Sequence, residues 1–95
     1  MARKRNPVDE FLVQVGDNIR RVRTRHGFTL DELGRDIGLD KSNMHRIEQG
    51  RNITLVTLLK IAAFLDVPPA TLLPSDVSVA SEDVERYVKA KKTQS

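Results

Sequence analysis

Between residues 41 and 49 nearly every side chain can hydrogen-bond. Lys41, Ser42, Asn43, His45, Arg46, Glu48 and Gln49 leave only Met44 and Ile47 as apolar positions. Two apolar residues three apart give a helix one narrow anchoring line, so the rest of its surface faces solvent or a ligand. Asp40, Ser42 and His45 supply the residue types of a catalytic triad. On one short helix, however, a nucleophile and its base cannot be aligned with a separate oxyanion hole, so no enzyme is expected. His45 and His26 are too distant in sequence for a helical ligand pair and no cysteine supplements them, so neither a metal nor a cofactor is expected. Binding is the chemistry left. Arg donates two parallel hydrogen bonds to guanine O6 and N7, Lys donates to the same acceptors, and Ser approaches almost any base edge.

Such a helix needs elements to hold it. Apolar residues return every three or four positions and no run alternates long enough for a strand, so the fold is expected to be all-α. A first helix is predicted from Asp9, with Phe11, Leu12, Val15, Ile19 and Val22 on one stripe, a basic face of Arg20, Arg21 and Arg25, and a stop at Gly27. Its internal Gly16 marks close packing or a fray point. Thr29 and Glu32 have capping-box spacing for a second helix through Leu33 and Ile37 that ends at Gly38. Asp40 caps the third helix, roughly 41–49, which Gly50 ends. Thr54 caps a fourth helix reaching Asp66, whose Leu55, Leu58, Leu59, Ala62 and Leu65 form the densest apolar face of the chain. A single helical turn between Pro69 and Pro74 closes a compact domain over 9–74. Residues 1–8 read as a basic arm. Residues 75–95 read as a weakly helical or disordered extension, with Ser81 as a cap, Val84, Tyr87 and Val88 on one side, and a Glu85–Lys89 pair on another.

Ninety-five residues suffice for one small domain. The formal charge is +3, and it is unevenly placed: residues 1–60 carry twelve Lys and Arg against eight Asp and Glu, whereas 61–95 carry four against five. The front of the chain is therefore the part suited to a polyanion. Without cysteine, disulfides, zinc-thiolate sites and thiol nucleophiles all drop out, and a cytoplasmic setting fits best. Polar residues follow Arg3, Lys4 and Arg5 where a signal peptide would turn apolar, and the longest apolar stretch, 58–65, is far shorter than the ~20 residues of a membrane span. Three of the four aromatic residues fall on core faces, which argues against stacking on single-stranded nucleic acid.

Two short helices joined by a glycine turn, the second nearly bare of apolar residues, form the outline of a helix-turn-helix. The outline gains detail from Thr29-Leu30-Asp31-Glu32-Leu33-Gly34, then Gly38-Leu39, then Met44-His45-Arg46-Ile47-Glu48-Gln49-Gly50, then Leu58-Leu59-Lys60-Ile61-Ala62. In these runs the chain resembles the phage repressor and Cro-like helix-turn-helix family, often called the Xre family, over about residues 15–73. The resemblance implies a compact five-helix, lambda-repressor-like domain. It also implies a sequence-specific regulator of transcription, chiefly a repressor, that reads the major groove of double-stranded DNA with its third helix. The matching base-facing positions are Lys41, Ser42 and Arg46, with His45 alongside. Phosphate contacts are expected from Thr29, Asn43, Arg51, Asn52, Thr54 and Lys60, with pairing to adenine N6 and N7 the alternative for Asn43. The resemblance pairs Glu48 with Arg23 of the first helix, and the pairing has a physical reason, since a free carboxylate at this surface would repel phosphate.

The chain also departs from the family pattern. Leu30 stands where most members place a phosphate-gripping Gln, although backbone N–H groups at that helix start remain suited to phosphate. Gly34 replaces a common Ala and allows closer helix approach. Ile53 replaces a loop proline. The Arg3-Lys4-Arg5 arm reads first as a solvated tail and second as a minor-groove probe. A homodimer on an inverted repeat is expected, its recognition helices one turn, ~34 Å, apart. The alternative is a protein-interaction module, an antitoxin or adaptor, whose partner docks on the fourth and fifth helices or on residues 75–95. Val56 and Leu72, with Val84, Tyr87 and Val88, are exposed apolar candidates for either a dimer interface or a partner groove.

Overall fold

The computed structural model describes residues 5–93, so Arg3 and Lys4 of the basic arm lie outside the described residues. Helix α1 spans Pro7–Arg25, α2 Leu30–Ile37, α3 Lys41–Glu48, α4 Leu55–Leu65 and α5 Ser81–Thr93, with a 3-10 turn at Pro69–Leu72 between the last two. Among the described residues every regular element is helical. None of these helices is long and apolar enough to cross a membrane.

Local chemistry explains most of the boundaries. Helix α1 begins two residues before the expected Asp9 because Pro7 occupies its first turn, where a missing N–H is harmless. Asn6 is the N-cap, its Oδ1 accepting from the Val8 N–H at 2.8 Å. Thr29 and Glu32 form both halves of a capping box at α2, Asp40 caps α3 and Thr54 caps α4. Gly38 ends α2 in the left-handed region at φ 80°, and the Leu39 N–H returns to Gly34 O at 2.7 Å, which turns the chain into α3 within three residues. The missing side chain of Gly34 lets this turn close, since a Cβ there would lie 2.5 Å from Leu39 O.

The core gathers one stripe from each element. Val15, Ile19 and Val22 of α1 meet Leu33 and Ile37 of α2, Met44 and Ile47 of α3, and Leu58, Ile61, Ala62 and Leu65 of α4. Two expectations change here. On α4 the buried stripe is Leu58, Ile61, Ala62 and Leu65, whereas Leu55 and Leu59 are 76% and 52% exposed. Both stripes obey helical spacing on a helix that is apolar almost all round, so periodicity does not choose between them. Leu72, expected at the surface, is fully buried, because the 3-10 turn packs on α1 and α4 and the Asn18 amide donates to Leu72 O at 3.1 Å.

The extension carries the last helix. Helix α5 lies against α1, and the Asn6 side chain donates to Asp83 O at 3.2 Å. Ser81 is the first helical residue and not its cap. Asp83 reaches back to the Ala80 N–H at 2.9 Å, and the ion pair of this turn joins Asp83 to Arg86 where Glu85 and Lys89 were expected. Lys91 lies over the Tyr87 ring, 5.2 Å from its centroid.

Candidate nucleic-acid interface

Helix α3 is held from below and open above. Met44 and Ile47 pass into the core, while Lys41, Ser42, Asn43, His45 and Arg46 are all exposed. Asp40 Oδ1 accepts from the Asn43 N–H at 2.8 Å, fixing the first turn. Asn43 Oδ1 accepts from Arg46 Nη1 at 3.1 Å, so one face of the guanidinium is steered before any ligand arrives. The expected role of Asn43 was a phosphate contact; the bond to Arg46 gives it a second task that its three-residue spacing could have signalled. Lys41, Ser42, His45 and Arg46 converge on a shallow depression of about 320 Å³ that also includes Leu30 of α2.

Glu48, on the same helix, is turned inward. Arg23 Nε donates to Glu48 Oε2 at 2.6 Å and Nη2 donates to Oε1 at 3.0 Å, while Nη1 donates to Phe28 O at 2.7 Å. The glutamate side chain is 3% exposed and the arginine 11%. The carboxylate is thereby neutralised and removed from the surface that α3 presents. The bond to Phe28 O, invisible in sequence, ties the pair to the loop that leads into α2.

At the start of α2 the Thr29 N–H donates to Glu32 Oε1 at 2.8 Å and Thr29 Oγ1 accepts from the Glu32 N–H at 3.1 Å. The Thr29 N–H holds the Glu32 carboxyl below its ordinary pKa, with further help from the Thr29 hydroxyl and from Arg35. Two of the four orphan N–H groups of this turn are therefore already satisfied, and those of Leu30 and Asp31 are the ones left for an anion.

Arg51 and Asn52 are exposed in the loop between α3 and α4. The Thr54 hydroxyl is engaged at the start of α4, accepting from the Thr57 N–H at 3.0 Å and lying 2.9 Å from the Thr57 hydroxyl. Lys60 is exposed on α4. It lines a depression with Asp36, Ile37, Ala63 and Phe64, none of which was assigned to a nucleic acid, and Asp36 supplies a carboxylate there. The residue that sequence reasoning missed at this surface is Leu30, which was seen only as the loss of a phosphate anchor.

Residues 18–74 match the family model of the Cro/C1-type helix-turn-helix DNA-binding domain. Among solved structures, the restriction-modification controller protein C.AhdI from Aeromonas hydrophila is 40% identical over 65% of this chain and 96% of its own, with a TM-score of 0.63. The biofilm master regulator SinR, in complex with DNA, is 35% identical over 61% of this chain and 95% of its own, with a TM-score of 0.57. A complex of SinR with SinI matches 84% of this chain and 80% of that one at 30% identity, with a TM-score of 0.60. No curated protein sequence matches the chain.

Proposed function

The chain belongs to the Cro/C1-type helix-turn-helix DNA-binding family, and from that premise we propose that α3 reads base edges in the major groove of double-stranded DNA. The protein is a DNA-binding transcriptional regulator. In this reading Lys41, Ser42, His45 and Arg46 meet bases. Thr29, Asn43, Arg51, Asn52, Thr54 and Lys60 lie at the phosphates. Repression is the mode of action and the cytoplasm its setting. The observation that carries the reading is the exposed polar face of α3 above a buried Met44 and Ile47, with the Glu48 carboxylate neutralised by Arg23.

The reading includes a homodimer on an inverted repeat, supported by Leu55, Val56 and Leu59, which leave an apolar strip exposed on α4. A protein partner at α5 is the second reading, favoured by exposed Val84 and Val88 and by the likeness to a regulator caught with a protein partner.

A salt titration tests the DNA reading. Affinity for duplex DNA should fall linearly in log–log form with a slope of about −0.9 per neutralised phosphate. A flat response, or no binding at low ionic strength, would refute it.

A further inference from the structure

Leu30 is the first residue of α2, and it stands where α2 meets the exposed face of α3. Part of its side chain packs against the core, and the remainder lines the depression shared with Lys41, Ser42, His45 and Arg46. Those four bring cationic, hydroxyl and imidazole groups. Leu30 brings the only wholly aliphatic side chain, half-buried on a surface otherwise built from hydrogen-bonding groups. In a major groove the base edges are hydrogen-bonding too, with one exception, the C5-methyl group of thymine. A 5-methylcytosine presents the same methyl group at the same ring position.

We infer that Leu30 is a specificity-determining residue that receives a pyrimidine C5-methyl group in the depression between α2 and α3. The inference rests on the major-groove reading of α3. It assigns Leu30 a base-reading role in place of the phosphate grip that a polar residue would exert there. Polar side chains beside it fix the register, and the methyl group excludes water from the aliphatic surface. Removing one buried methyl group should weaken binding about fourfold.

The test begins with duplexes selected from a random library by the full chain, in which each thymine is then replaced singly by uracil, a change that removes only the methyl group. The wild-type protein should bind about fourfold more weakly at one position of each half-site. That difference should vanish in Leu30→Ala and Leu30→Gln and persist in Leu30→Met, with folding of each variant checked by circular dichroism. At the same position, stronger binding to 5-methylcytosine than to cytosine shows that either source of the methyl group is accepted, and equal binding shows that thymine alone is. Equal affinity for thymine and uracil at every position of a specifically bound duplex overturns the inference and leaves the major-groove reading standing. A difference that survives in Leu30→Ala also overturns it. If no sequence is selected at all, the major-groove reading fails first and the inference with it. The uracil series on the wild-type protein needs no substitution in the core, so the outcome does not depend on how well a variant folds.

Discussion

Arg23 and Glu48 meet side on, two nitrogens of one guanidinium against two oxygens of one carboxylate, in a site where the glutamate is 3% exposed. The third donor of Arg23 closes on Phe28 O. One arginine thus joins the C-terminal part of α1, the end of α3 and the loop into α2, the three pieces whose relative placement sets the exposed face of α3. The pair is a structural joint beneath the interface.

Breaking the joint on one side should strand a buried charge. Glu48→Ala or Arg23→Ala is expected to lower stability by about 3–5 kcal/mol in urea unfolding, whereas replacing both by apolar residues of similar volume should cost much less. Loss of DNA binding in the single variants should follow the folded fraction. A single variant that stays fully stable would show that the pair does not carry the joint.

Gly16 of α1 lies beneath the same helix end. A Cβ at this position would stand 2.5 Å from Glu48 O and 2.6 Å from Ile47 O, both backbone atoms. Gly16→Ala gains about 1 kcal/mol in helix propensity, and the crowding should outweigh it with a cost of about 1–3 kcal/mol. A rise in thermal midpoint would contradict the close approach.

At the DNA, Arg46 and Arg51 should behave differently. Arg46→Ala is expected to relax preference at one half-site position by about 1–3 kcal/mol, and Arg51→Ala to weaken all sequences alike and reduce the salt slope by about one. Selection from random duplexes together with binding isotherms measures both. The same loss from both variants on every sequence would remove the assigned roles.

The capping box gives α2 an acid limit. Because the Glu32 carboxyl sits below its ordinary pKa in the folded protein, its contribution is fully present above the usual glutamate range and is lost as the pH falls through the depressed value. Glu32→Gln should be less stable than the wild type at neutral pH, and the difference should shrink on acidification. Carboxyl titration by NMR locates the window, and an unshifted Glu32 would remove the effect.

Leu59 is 52% exposed on α4 and outside the core. Leu59→Lys should therefore leave helicity unchanged by circular dichroism while shifting the sedimentation equilibrium from dimer to monomer. A wild-type protein that stays monomeric at tens of micromolar would exclude a dimer of micromolar or tighter affinity through this strip.

The helices, the caps of α2, α3 and α4 and the polar character of α3 were legible in the residues themselves. Thr29 with Glu32, Asp40 with the Asn43 N–H, and the left-handed Gly38 each satisfy backbone groups within one turn, so their identity is enough to place them. Other features depended on which surfaces came together. Two overlapping stripes on α4 have the same spacing, and only contact with α1 and α2 buries Ile61 and exposes Leu55 and Leu59. Leu72 is covered because the 3-10 turn folds onto α1 and α4, and α5 lies against α1 although its own apolar face is thin. Leu30 acquires its place beside Lys41 and Arg46 from the packing of α2 on α3. Caps are contacts along the chain, whereas burial is a contact between segments far apart in it, and a hydrophobic stripe does not name the surface that will cover it.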